Sequence, residues 1–189
     1  MKVCLACGQR FVGEDWRCPS CNVYPETVDG YLSFAPGLAA GNDCFWTGYF
    51  EKLFKVETSN FWFRSRNKLL RWALEKNFPQ AESFFEIGCG TGYVLSGVQR
   101  EFPKLRLYGS DIFNKGLSFA KQRLSDVSLF QMDARKIPFE KEFDVIGAFD
   151  VLEHIDEDGI VLQQMFQATK SGGGYYTDSS AASVFMEHC

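Results

Sequence analysis

The sequence lacks an excess of positive charge: 20 Lys and Arg stand against 24 Asp and Glu, a net charge of −4. No global positive field therefore draws the chain to nucleic acid or anionic lipid. It also lacks an apolar stretch long enough to cross a bilayer, and the charge-free run from Gly30 to Asn42 is broken by Pro36 and several glycines. The N-terminus, MKVCLAC, has no apolar signal-peptide core, so a cytoplasmic protein is expected. What is present suits a packed core. Hydrophobic residues make up 46% and charged residues 23%, which excludes wholesale disorder. A length of 189 residues leaves room for one ordinary domain and a small module. Aromatics reach 16%, with 19 Phe, which points to a thick core and an aromatic-lined pocket.

Seven cysteines are many for a reducing compartment unless metal holds some of them. Cys4, Cys7, Cys18 and Cys21 form two C-x2-C pairs separated by ten residues. Each pair presents two thiolates from one tight turn, and the gap accommodates a short hairpin. Four thiolates complete a tetrahedral zinc site with no open position, so the expected role is structural. A module of residues 1–28 buries too little apolar surface to fold alone, so the metal would supply the folding free energy. Disulfides or incidental thiols are the competing readings; a disulfide framework fits an exported chain, for which the signal is missing. Lys2, Arg10 and Arg17 balance Glu14, Asp15 and Glu26, which favours a structural or docking role over RNA binding.

Residues 29–59 read as a connector, irregular and rich in Gly and aromatics through residue 50. Residues 51–77 read as helical. There Trp62, Leu69, Ala73 and Lys76 form one stripe, expected to dock on the following domain. Arg64, Arg66, Lys68 and Arg71 are either a solvated face or a cradle for a carboxylate. From Ser83 onward strands and helices alternate: SFFEIGC, LRLYGSDI, VSLFQMDA and EFDVIGAFDV as strands, with amphipathic helices between and after them. Short apolar strands joined by helices indicate a parallel α/β sheet.

The first strand runs into Glu86-Ile87-Gly88-Cys89-Gly90-Thr91-Gly92 and then a helix. Such a turn lets backbone approach a ligand at the carboxyl edge of the sheet. The dinucleotide fingerprint requires a glycine where Tyr93 stands, and no Lys-Ser/Thr pair follows to make a P-loop. Asp111, at the end of the second strand, is placed to accept both hydroxyls of a ribose. Its bland alternative is a helix cap. Asp133, at the end of the third, is placed to accept from an adenine amino group. One nucleoside carrying a positive charge fits this set better than a ligand with two phosphates.

EIGCGTG, SDI, QMDA and FDVIGAFDVLEHI, in this order and spacing, resemble the motifs of class I S-adenosylmethionine-dependent methyltransferases. The small-molecule branch with VLEHI after the fourth strand is the most similar, over roughly residues 60–175. The NFWFRSR segment resembles a bacterial branch of this family, some members of which carry a Cys-rich N-terminus. The resemblance implies a Rossmann-like sheet over residues 60–189 and S-adenosylmethionine as cofactor. Glu86, Gly88, Gly90 and Gly92 would then shape the pocket for the methionine half and the ribose. Asp111 would hold the ribose, Ile112 would lie against the adenine, and Asp133 and Ala134 would meet its edge. Phe149 and Asp150 would border the methyl-transfer site, with His154 as the candidate base for an O or N nucleophile of a small-molecule acceptor. A hydrogen bond fixing the loop is the alternative role for His154.

The family core continues past its fifth strand with a hairpin of two more. Here Gly172-Gly173-Gly174-Tyr175-Tyr176-Thr177 resembles the start of the fifth strand, and a polar SSAAS stretch follows. The expectation is a sheet lacking its last strands, with an open edge that invites self-association. Two other functions stay open: a methyltransferase for RNA or protein that docks through the ribbon, and a catalytically silent scaffold.

Overall fold

The computed structural model describes residues 1–39, 43–179 and 182–187, with 43–47, 179 and 182–187 traced as backbone. The cysteine-rich segment forms a small antiparallel hairpin, β1 (Lys2–Val3) and β2 (Arg10–Phe11). A second hairpin, β3 (Glu26–Val28) and β4 (Tyr31–Ser33), joins the main sheet. Two helices follow, α1 (Asp43–Val56) and α2 (Phe61–Asn77). The α/β unit then comprises β5 (Ser83–Ile87), α3 (Tyr93–Glu101), β6 (Arg106–Asp111), α4 (Asn114–Arg123), β7 (Ser128–Gln131), β8 (Phe143–Phe149), α5 (Asp158–Ala168) and β9 (Thr169–Ser179). A last strand, β10 (Ala182–Glu187), folds back on β9.

The eight strands run in the order β10-β9-β8-β5-β6-β7-β4-β3. From β9 to β4 every pairing is parallel, and the two outermost strands are antiparallel. All of β5 is buried because helices cover both faces of the sheet. Its side chains alternate: Phe84 packs with Val98, Leu107, Leu117 and Val145 on one face, and Phe85 with Phe143, Ile146 and Met165 on the other. Phe84, Phe85 and Phe143 are at most 1% exposed, each worth about 3 kcal/mol of burial. The order switches direction between β5 and its neighbours β6 and β8, so the loops after β5, β6 and β8 meet above one crevice.

Four expectations are corrected. The connector contributes structure: β4 extends the parallel sheet beside β7, through the registers Leu32 with Phe130 and Ser33 with Gln131. Three residues carry too little periodicity to announce such a strand. The helical stretch read over 51–77 begins earlier, at Asp43, and divides into two helices, the second capped by the Asn60 side chain, which accepts from Trp62 N at 2.9 Å. The face of α2 that docks is not the one expected. Asn67, Leu70 and Leu74 are buried, whereas of the expected stripe Trp62, Leu69 and Lys76 are exposed and Ala73 is partly buried against the core. Lastly, the sheet does not stop at the fifth parallel strand; β10 pairs along β9 from Ala182 with Ser179 to Glu187 with Gly174 and covers that edge.

The cysteine hairpin docks on the sheet. Val3 N donates to Pro138 O and Glu140 N to Met1 O, both at 2.9 Å. Arg10 pairs with Glu140. Trp16 places its ring against Phe34, Phe130 and Phe139, with centroids 4.7, 6.0 and 5.3 Å away. Among the described residues, no helix is long and apolar enough to cross a membrane.

Candidate functional site

The glycine turn after β5 has the backbone its sequence foretells. Gly88 and Gly92 adopt φ of +66° and +71°, which L side chains rarely take. A Cβ on Gly88 would also stand 2.3 Å from Val151, and one on Gly92 would stand 2.9 Å from Leu124. Gly90 N donates to Asp111 Oδ2 at 2.9 Å, and Phe113 N donates to Asp111 Oδ1 at 2.8 Å. Each carboxylate oxygen thus keeps one lone pair, enough for the two hydroxyls of a diol. Burial raises the Asp111 pKa to about 6, against the opposing pull of those N–H groups.

The turn is held from outside by a group that the motif did not reveal. Thr91 Oγ1 donates to Glu57, whose two oxygens lie at 2.8 and 2.6 Å. Arg123 Nη1 donates to Glu57 at 2.8 Å, and Arg123 Nη2 donates to Phe54 O at 3.2 Å. The guanidinium lies over the rings of Phe54 and Tyr93. This buried cluster ties α1 and α4 to the glycine turn. Earlier in α1, Phe50 sets its ring beside Gly90 and Gly116. A lone Glu between two helices gives no sequence signal of this role.

A second group gathers at the ends of β5, β8 and β9. Arg66 from α2 pairs with Asp150 and lies 3.8 Å from Asp178, while Asp150 N donates to Asp178 Oδ1 at 2.9 Å. Glu86 is buried with Oε2 unpartnered, and burial pushes its pKa well above the ordinary carboxylate range, although Arg66 pulls it down. Whatever the state of Glu86, the carboxylates of Asp150 and Asp178 outnumber Arg66 when both are ionised, and the spot then carries net negative charge, although burial raises the Asp178 pKa. The basic residues of α2 therefore separate by role. Arg66 turns inward, Arg71 pairs with Glu101, and Arg64 and Lys68 face a groove on the other side.

The remaining expected residues are distributed as follows. Ile112 is half-buried and its carbonyl accepts from Gln131 Nε2 at 2.9 Å. Ala134 is buried in the core. Both oxygens of Asp133 bond Arg135, which also reaches Glu157. Burial opposes ionisation of Asp133, but the Arg135 bonds outweigh it and hold the pKa below the usual value. Phe149 is turned into the core, where its ring packs on Gly147, so only its backbone stands at the strand end. Asp150 has φ of +53°, a left-handed turn that points its chain away from the strand. His154 is exposed in a single turn of 3-10 helix, and its ring makes no hydrogen bond among the described residues. The loop-fixing role for His154 therefore has no support.

In the N-terminal module, the sulfurs of Cys4, Cys7, Cys18 and Cys21 all lie within 4.8 Å of one another. Cys4 to Cys21 and Cys7 to Cys18 are each 3.6 Å apart. Zinc–sulfur bonds of about 2.3 Å at tetrahedral angles set sulfurs about 3.8 Å apart, so the cluster fits that ion.

Residues 85–177 match the family model described as a methyltransferase domain. A malonyl-[acyl-carrier protein] O-methyltransferase of Priestia megaterium is 24% identical over 112 residues, 58% of this chain and 41% of the relative. A demethylmenaquinone methyltransferase of Thermotoga maritima is 28% identical over 109 residues, 57% of this chain and 46% of the relative. The chain thus spans less than half the length of these curated relatives. The fold is similar to that of CalS10, an amino pentose methyltransferase from Micromonospora echinaspora bound to S-adenosylmethionine, with TM-score 0.60, 21% identity, and coverage of 69% of this chain and 56% of that one. N-methyltransferase NodS of Bradyrhizobium japonicum, in complex with S-adenosylhomocysteine, gives TM-score 0.57, 21% identity, and coverage of 70% and 71%. Residues 85–177 thus match a methyltransferase domain, and motif order and sheet topology agree with the fold of these S-adenosylmethionine-dependent enzymes.

Proposed function

We propose that the chain transfers a methyl group from S-adenosylmethionine to an oxygen or nitrogen of a small-molecule acceptor. One observation carries this reading: Asp111, at the carboxyl end of β6, keeps a lone pair on each oxygen while Gly90 and Phe113 fix its plane. That arrangement suits a ribose diol. The net-negative spot around Arg66, Asp150 and Asp178 suits the positive charges of a sulfonium amino acid, and the N–H groups of Arg66 not used by the two aspartates suit its carboxylate.

Bound S-adenosylmethionine supplies a methyl group already activated as an electrophile, so alignment is the protein's main task. Asp111 orients the sugar. Ile112 offers an apolar surface to the base, and the backbone of Asp133–Ala134 borders its edge, because the Asp133 carboxylate is engaged by Arg135. Asp150, held by Arg66, borders the acceptor, and a ring nitrogen of His154 removes the acceptor's O–H or N–H proton. Relatives that methylate malonyl-[acyl-carrier protein] and demethylmenaquinone support a small-molecule acceptor. Zinc at the four cysteines would be structural, since four thiolates leave no open position. Calorimetric titration with S-adenosylhomocysteine tests the reading. One-to-one binding that Asp111→Ala abolishes is expected; a folded protein that takes up neither this molecule nor S-adenosylmethionine would falsify it.

A further inference from the structure

The groove between α2 and α3 lies outside the cofactor crevice and encloses about 550 Å³, a size suited to a small ligand. Arg64, Lys68, Arg71 and Arg100 line it, and none of its lining residues is acidic. Arg71 is shared with Glu101 at the rim. The side chains of Arg64, Lys68 and Arg100 have no ion pair among the described residues. Positions 64, 68 and 71 fall on one helix face, rising about 6 and 10 Å along the axis. Like charges at that spacing repel. Glu101 relieves the repulsion at Arg71, and no ion pair among the described residues relieves it at Arg64, Lys68 or Arg100.

Two helix ends add to the field. Phe61 and Tyr93, the first residues of α2 and α3, both line the groove, and neither helix has an acidic residue in its first turn. Their positive dipole ends are met in part, by the Asn60 cap on Trp62 N in α2 and by Glu86 at Leu95 N in α3, so the cationic side chains carry most of the field. Thr58 and Ser65 bring hydroxyl donors to the same wall. A single carboxylate would leave most of this charge unmatched. Phosphate groups, with several acceptor oxygens and more than one charge each, match it well.

We infer that this groove binds a small ligand through at least two phosphate groups. Tyr93 joins the groove to Gly92 of the cofactor turn, so the phosphates belong either to the methyl acceptor or to a separate ligand. Inorganic pyrophosphate is the probe, titrated calorimetrically at low and moderate salt into wild type, Lys68→Glu and Arg100→Glu. Both substituted side chains are exposed. One-to-one binding that weakens with salt, and about tenfold or more in each variant, is expected. Unchanged melting temperature and unchanged S-adenosylhomocysteine affinity in the variants keep folding and the cofactor site separate from this result. No pyrophosphate uptake at low salt, equal uptake by wild type and variants, or binding seen only with a single-stranded oligonucleotide overturns the inference. Acceptors screened as phosphorylated and dephosphorylated pairs identify the source. If the phosphates are the acceptor's, Lys68→Glu raises KM for the phosphorylated member alone; if they belong to a separate ligand, both members respond alike.

Discussion

Glu57 and Arg123 form a buried ion pair, 2.8 Å between Oε2 and Nη1, and both also bond the hydroxyl of Thr91. The side chains are 7% and 10% exposed, so neither charge has water to fall back on. Because Thr91 is the middle of Gly90-Thr91-Gly92, the pair sets the shape of the turn that faces the cofactor. It also fixes α1, which carries Phe50, over that turn.

Glu57→Gln keeps a partner for Thr91 but strands Arg123 without a counter-charge. Breaking a buried pair in this way costs about 3–5 kcal/mol. Urea denaturation will register that loss. Replacing both partners by apolar residues of similar size, Glu57→Leu with Arg123→Met, recovers much of the stability. The double variant should still bind S-adenosylhomocysteine more weakly, because nothing then orients Thr91; wild-type affinity there would show the pair to be scaffolding only.

Asp111 gives cofactor binding a pH dependence near its raised pKa of about 6. If the ionised form accepts the ribose hydroxyls as proposed, S-adenosylhomocysteine affinity should fall by up to about tenfold per unit below that pH. Stability moves the other way for this group. A pKa raised on folding stabilises the protein fully below the unfolded value, and that contribution is lost as pH rises through about 6. Titrations at pH 5, 6 and 7 with Asp111→Asn as control check this: the variant binds weakly throughout and shows no inflection.

Arg66→Ala leaves Asp150 and Asp178 unneutralised beside the buried Glu86. Binding of S-adenosylhomocysteine should weaken by about 10–100-fold, in line with 1.5–3 kcal/mol for a charged hydrogen bond. Arg66→Lys should restore part of it. Equal affinity in all three proteins would remove Arg66 from the site.

Removing metal from the four-cysteine cluster should unfold the N-terminal hairpin, whose short strands hold little apolar surface of their own. Trp16 would then leave its pocket against Phe34, Phe130 and Phe139. A red shift of tryptophan emission on adding a strong chelator, reversed by zinc, is the expected signature. Cys18→Ser should show the shifted spectrum without chelator.

His154→Ala should lower kcat much more than it weakens cofactor affinity, since the exposed ring has no bond to lose. Turnover equal to wild type would strike His154 from the catalytic residues.

The α/β alternation, the glycine turn and the two C-x2-C pairs were legible because each is a local pattern with a local cause. Burial on both faces makes β5 continuously apolar, positive φ selects Gly88 and Gly92, and one metal needs four thiolates at turn spacing. The carboxylates at the strand ends were legible for the same reason, since strand length sets their level. Four features were not. The docking face of α2 was misjudged because Trp62 and Leu69 look like core residues, yet the polar Asn67 is buried against α3, giving Nδ2 to Tyr93 O at 2.9 Å. Phe149 turned inward because Gly147 leaves room for its ring. Asp133 found Arg135 two residues on, and Glu57 found Arg123 from 66 positions away. Sequence alone thus determined which backbone shapes and which chemical groups the chain possesses, since those follow from neighbours in the chain. Tertiary structure alone decided which of those groups stay available to a ligand, because pairing between charges depends on distances in space that no periodicity records.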